Sequence, residues 1–160
     1  MTSLVYYAGP NTFYNILHIG DFKQQSKKFL NTIQKNYPDK CSIFYFNMEN
    51  KYKGLSLNFR INTPIYYRIS LHELLPDVDR IIWLDGDTIV FDDLTELIKI
   101  DMKGNLIMGF LDSVPDAIKN FRFKAPTVVC CGVLLMDLDG IRKNGYSKKM
   151  KNLSLKIRTI

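Results

Sequence analysis

HELLPDVDRIIWLDGDTIVFDDLTEL, residues 72–97, is the stretch around which the rest of the chain is organised. Within it, Arg80–Leu84 carries Ile81, Ile82, Trp83 and Leu84 with no polar residue between them. A strand without polar alternation is covered on both faces, as in sheets flanked by helices. This one runs straight into Asp85-Gly86-Asp87, and ligands of open α/β sheets bind outside the carboxyl ends of strands. Pro76 stops whatever helix precedes the strand, while Asp93, with Glu96 three residues on, starts another over Leu94–Ile100.

Outward from this centre, strand and helix signals alternate. Upstream, Thr12–Ile19 reads as a strand, and Asp21 with Gln24 forms a capping box for a helix whose apolar face is Phe22, Phe29, Leu30 and Ile33. Cys41–Phe46 is a second strand, and Thr63-Pro64 opens a helix through Leu75. Downstream, Thr88–Phe91 is a short extended piece, Leu106–Leu111 and Val128–Leu138 are strands, and a helix follows from Asp139. No repeat, low-complexity tract or linker interrupts this order. The alternation predicts an α/β domain built on a mainly parallel sheet.

Composition supports a globular chain: of 160 residues, 46% are hydrophobic, 24% charged and 12% aromatic, far from the disordered range. That length is one domain or a piece of one. Neither a membrane-spanning apolar stretch nor a signal peptide is legible, so a soluble fold is expected. The net charge of +6 is localised. Seven of the 22 Lys/Arg and none of the 16 acids lie at residues 142–160, which leaves residues 1–141 with 15 basic against 16 acidic side chains. A nucleic-acid binder carries its basic residues on the folded body, so nucleic acid is not expected as a partner. The sequence divides instead into a body at residues 1–141 and a basic end at residues 142–160, a helix and then a tail. That tail is either solvated or in weak peripheral contact with an anionic membrane surface.

Three cysteines make no disulfide framework, and the adjacent Cys130 and Cys131 are poorly placed to bond each other. Small buried thiols in a reducing compartment are the expectation. His72 lies beside Glu73 without a second ligand at metal spacing and reads as structural.

Asp85 and Asp87, separated by a glycine, can both reach one hard divalent cation, for which oxygen chemistry favours Mg²⁺ or Mn²⁺ over Zn²⁺. The competing reading is a solvated Asp-Gly turn. Asp92 and Asp93 read as helix-capping residues.

Three segments taken together, Tyr66-Tyr67-Arg68, residues 72–97 and CGVLLMDLDGIRK (residues 131–143), resemble the family 8 glycosyltransferases. The resemblance covers nearly the whole chain and is strongest from Tyr66 to Lys143. It implies the GT-A fold and retaining transfer of a hexose from a UDP-sugar donor to a saccharide or lipopolysaccharide-type acceptor hydroxyl. It also implies a D-x-D-bound Mn²⁺ (or Mg²⁺). By the same resemblance Asp85 and Asp87 are the metal ligands, with Gly86 between them in the substrate site. Arg68 contacts the donor's sugar and phosphate; the alternative is a helix arginine paired with an acid. Asp112 falls where the family often places an acid near the sugar or acceptor. Cys130 and Gly132 line the sugar side, with Cys130-Cys131-Gly132 replacing the family's Asn-Ala-Gly or Asn-Ser-Gly.

The family's opening strand and its downstream Asp-Gln segment and metal-binding histidine have no counterpart in these residues, so the fold is expected to be incomplete at both ends. No catalytic base is identifiable. Two alternatives accompany the enzyme reading: a catalytically inactive fragment of such an enzyme, or a cation-binding module with a basic tail. A bacterial member would be cytoplasmic or peripheral to the inner face of the membrane.

Overall fold

The computed structural model describes residues 1–20, 23–48, 67–111 and 129–146. A short helix, α1 (Thr2–Tyr6), leads to strand β1 (Tyr14–Gly20), helix α2 (Gln24–Asn36) and strand β2 (Cys41–Asn47). β1 and β2 pair in parallel, from Tyr14 opposite Cys41 to Gly20 opposite Asn47. Period-2 alternation puts Tyr14, Ile16, Cys41 and Ile43 on one face, where Ile16, Cys41 and Ile43 are buried with Leu30 and Ile33 of α2 and Leu4 and Val5 of α1.

α2 begins two residues later than a capping box on Asp21 would place it: Lys23 is its cap residue and makes no side-chain cap bond. Asp21 and Phe22 lie outside the described residues. Phe29, expected on the apolar face, is 59% exposed. At 100° per residue it sits at the margin of the stripe centred between Leu30 and Ile33, and the sheet reaches only that centre.

A 3₁₀ turn at Arg68–Ser70 continues into α3 (Leu71–Leu74), ahead of Pro76 as expected. The predicted helix start at Thr63-Pro64 lies outside the described residues. β3 (Arg80–Leu84) matches the expected strand and is followed by α4 (Thr95–Lys99), β4 (Ile107–Leu111), β5 (Val129–Asp137) and α5 (Leu138–Lys143). Thr88–Phe91 forms no strand; only Val90 in it is buried, by the first core. The boundary between residues 141 and 142 falls inside α5, and residues 147–160 lie outside the described ones.

The second sheet has the order β3-β5-β4, with β5 antiparallel to both neighbours. Among the described strands the pairing is therefore mixed rather than mainly parallel. An apolar run specifies a covered strand but carries no information on its direction. Ile81 and Trp83 point from β3 into a second core of Leu71, Leu134, Met136, Leu138 and Ile141, while Leu84, on the other face, packs against the first core. Both faces of β3 are thus covered, as its lack of polar alternation implies. α5 closes the second core: Asp137 caps it by accepting from the Gly140 N–H at 2.9 Å, and Leu138 is fully buried.

Candidate functional site

β3 delivers its last residue to the surface. The Asp85 N–H donates to the Gly132 carbonyl at 2.8 Å, which continues the β3–β5 ladder by one residue and sets Asp85 opposite Gly132. The Thr88 N–H then donates to the Asp85 carbonyl at 3.0 Å, closing a four-residue turn with Gly86 and Asp87 at its tip. A Cβ on Gly86 would meet nothing within 4 Å, so that side of the turn is open. Asp87 is exposed, and no hydrogen bond or ion pair engages its carboxylate among the described residues.

Asp85 is held differently. Its Oδ1 accepts from the Trp83 indole Nε1–H at 2.7 Å and from Arg68 Nη2 at 3.0 Å. Trp83 and Asp85 are two residues apart, hence on the same face of the strand, which is why an indole can reach the carboxylate. The Arg68 guanidinium lies over the Trp83 ring, 4.6 Å from its centroid. Side-chain exposure is 14% for Arg68 and 40% for Asp85. The arginine predicted as a diphosphate contact is thus paired with an acid, and that acid is the first aspartate of the pair. Arg68 Nε is buried without a hydrogen-bond partner among the described residues, an unmet donor near the Asp85 carboxylate.

Asp85 Oδ2 faces the bare backbone of β5. A Cβ on Gly132 would lie 3.5 Å from Oδ2, and the Cys130 Sγ would be 3.8 Å from the same point. Cys130 therefore sits on the Asp85 side of the sheet, and alternation turns Cys131 to the other. Both thiols are exposed, whereas Cys41 is buried. The expectation of three buried thiols holds for Cys41 alone: β5 is sandwiched between strands only from Val133 onward, and the pair lies at its uncovered start. Asp112 lies outside the described residues. His72 is buried at 6% exposure, with Nε2 3.8 Å from the Glu73 carboxylate, in keeping with a structural role.

Two carboxylates, one exposed and one with a free oxygen over a glycine, offer hard oxygen donors suited to Mn²⁺ or Mg²⁺. Two carboxylates alone would complete only part of a coordination shell, and no group of three or more His, Cys, Asp or Glu able to hold a metal occurs among the described residues. A cavity of about 430 Å³ lined by Asn31, Gln34, Lys35, Pro38, Cys41 and Ser42 lies between α2 and β2, on elements that contribute nothing to this site.

Sequence reasoning missed two features. Trp83 reads as core, although an aromatic two residues before an aspartate on one strand face is a legible signal for such a contact. Asp93, expected to cap α4, stands one residue before its cap residue Leu94; its Oδ1 accepts from the Thr95 N–H at 2.6 Å, and its Oδ2 also accepts from the Gly9 N–H at 2.5 Å. It ties the segment before β1 to the segment after β3. Hydrogen bonds from Thr12 and Thr95 hold its carboxyl well below the usual carboxylate range.

Strands and helices in this order, with an aspartate pair following β3, make a GT-A glycosyltransferase fold. The chain belongs to glycosyl transferase family 8, whose family model matches residues 7–159. It is 29% identical over 162 residues to the Arabidopsis thaliana protein "Probable galacturonosyltransferase-like 10", covering 89% of this chain and 44% of that one. The chain spans less than half the length of the curated relatives it matches. In fold it is similar to the WbbM bifunctional glycosyltransferase, with a TM-score of 0.75, 19% identity, and coverage of 96% of this chain and 31% of that one. It is also similar to the galactosyltransferase LgtC, solved with donor and acceptor sugar analogues, with a TM-score of 0.60, 20% identity, and coverage of 81% and 60%. No helix among the described residues is long and apolar enough to cross a membrane.

Proposed function

We propose that residues 85–87, with Arg68, form the cation and diphosphate site of a retaining glycosyltransferase that moves a hexose from a UDP-sugar to an acceptor hydroxyl. One observation carries the reading: an exposed Asp87 and an Asp85 Oδ2, both without a partner among the described residues, share one turn at the carboxyl end of β3, with a guanidinium bonded to Asp85 Oδ1. Asp87 and Asp85 Oδ2 would hold Mn²⁺ or Mg²⁺, which when bound stabilises charge on a departing diphosphate as a Lewis acid.

This chain's own contributions are electrostatic and steric. Arg68 supplies a fixed positive charge beside the diphosphate position, and its planar fork suits phosphate oxygens. Gly132 keeps the backbone opposite Asp85 free of side chain where the sugar approaches, and Cys130 borders that approach. Asp112 is proposed for the same sugar or acceptor side. A saccharide or lipopolysaccharide-type acceptor fits the family, and contact with an anionic membrane surface through the basic end would bring the protein to such an acceptor at the inner face of the membrane.

Calorimetric titration with UDP and a panel of UDP-hexoses tests this. UDP should bind in the presence of Mn²⁺, and binding should vanish in EDTA and in Asp87→Asn. Equal UDP binding with and without the metal would refute the assignment.

A further inference from the structure

The proposed function leaves open why a tryptophan should contact the first aspartate of the pair. Asp85 Oδ1 has two donors, the Trp83 indole at 2.7 Å and Arg68 at 3.0 Å, and both come from one stacked unit because the guanidinium lies on the indole ring. A carboxylate oxygen that accepts two such bonds has its lone pairs committed and its rotation about the Cβ–Cγ bond fixed. The second oxygen is then aimed by default, and here it faces the gap left by Gly132. The ring itself is anchored by packing in the second core, so the geometry is transmitted from the body of the fold to the turn.

We infer that Trp83 is a positioning residue. It orients Asp85 directly through its indole N–H and indirectly by carrying Arg68, so that Oδ2 alone is presented to the cation. The inference rests on the proposed function above, since it assigns an oxygen to the cation held there. Outer partners of metal ligands are worth roughly 10–100-fold in metal affinity, and the smaller figure is expected for a partly exposed carboxylate.

Trp83 is the only tryptophan in the chain, so its indole N–H gives a single resonance in a ¹H–¹⁵N spectrum and reports this contact alone. In the full chain that resonance should lie downfield, as for a charge-assisted hydrogen bond, and move upfield in Asp85→Asn. Substoichiometric Mn²⁺ should broaden it before other resonances, and excess Mg²⁺ should restore it. Trp83→Phe keeps a ring under Arg68 but loses the donor. It should weaken Mn²⁺ uptake, read as loss of the free-ion paramagnetic resonance signal, about tenfold. Trp83→Tyr, assayed alongside, should also weaken uptake, its hydroxyl standing elsewhere than the indole nitrogen.

An indole resonance indifferent to Asp85→Asn would overturn the inference. So would unchanged Mn²⁺ affinity in folded Trp83→Phe and Trp83→Tyr while Asp85→Asn still abolishes uptake, and that result would leave the proposed function standing. Absence of Mn²⁺ uptake by the unaltered chain would overturn both.

Discussion

Replacing Asp93 by alanine removes the acceptor that joins two distant parts of the chain. Oδ1 takes the Thr95 N–H at 2.6 Å and Oδ2 the Gly9 N–H at 2.5 Å, and Thr12 Oγ1 stands 3.1 Å from Thr95 Oγ1 beside them. Gly9 fits there because it lacks a side chain: its Cβ would fall 2.9 Å from Oδ2. Bonds to a charged acceptor contribute about 1.5–3 kcal/mol each, and truncation also strands two part-buried donors, so a loss of about 3 kcal/mol is a conservative sum. For a chain of this size that corresponds to a fall in Tm of roughly 6–12 °C.

The effect has a pH signature. The folded carboxyl titrates below its unfolded value, so its stabilisation is complete above the unfolded pKa of about 4 and fades as the pH drops below that. Thermal melts of the parent and Asp93→Ala followed by circular dichroism should therefore differ most at neutral pH, with the difference shrinking steadily as the pH falls below about 4. A Tm difference under about 2 °C at pH 7, or one that stays constant down to pH 3, would refute the reasoning.

Three further outcomes are expected. Gly109→Ala would place a methyl 2.7 Å from Val129 Cγ1 and 2.9 Å from the Val133 carbonyl, so denaturant melts should show a loss of about 1–3 kcal/mol from overpacking β4 on β5. Gly86→Ala, with open space around its Cβ, should leave the melt within experimental scatter of the parent. Arg142→Ala removes donors to the Leu75 carbonyl at 3.0 Å and the Val78 carbonyl at 3.1 Å, and should lower stability by about 2 kcal/mol in the same melts.

How much of this was legible differs from element to element. β3 was readable to the residue because the unbroken apolar run Ile81–Leu84, between Arg80 and Asp85, admits little else, and the aspartate pair then falls at a strand end by construction. The α/β class followed from alternation. The direction of β5 was hidden, because Val133–Met136 would look the same in a parallel strand. The fate of Phe29 depended on how far the sheet extends under α2, and that of Cys130 and Cys131 on where β5 gains its neighbours, both tertiary facts. At the site, the sequence supplied Asp85 and Asp87 and, through resemblance, Gly132 and Arg68. It left Arg68 divided between phosphate binding and an acid partner; the fold pairs it with Asp85 in the same site. The indole contact and the Gly9–Asp93 tie span strand geometry and 84 residues respectively, and no local pattern encodes the second.

The central claim is that Asp85 and Asp87 together hold a divalent cation. It is tested most directly by titrating Mn²⁺ into the chain and counting free ion by paramagnetic resonance, for the parent, Asp85→Asn and Asp87→Asn. Two protein carboxylates completed by water should give a dissociation constant on the order of a millimolar, tightened when UDP is added and abolished by either substitution. Mn²⁺ uptake equal in all three proteins, with or without UDP, would contradict it.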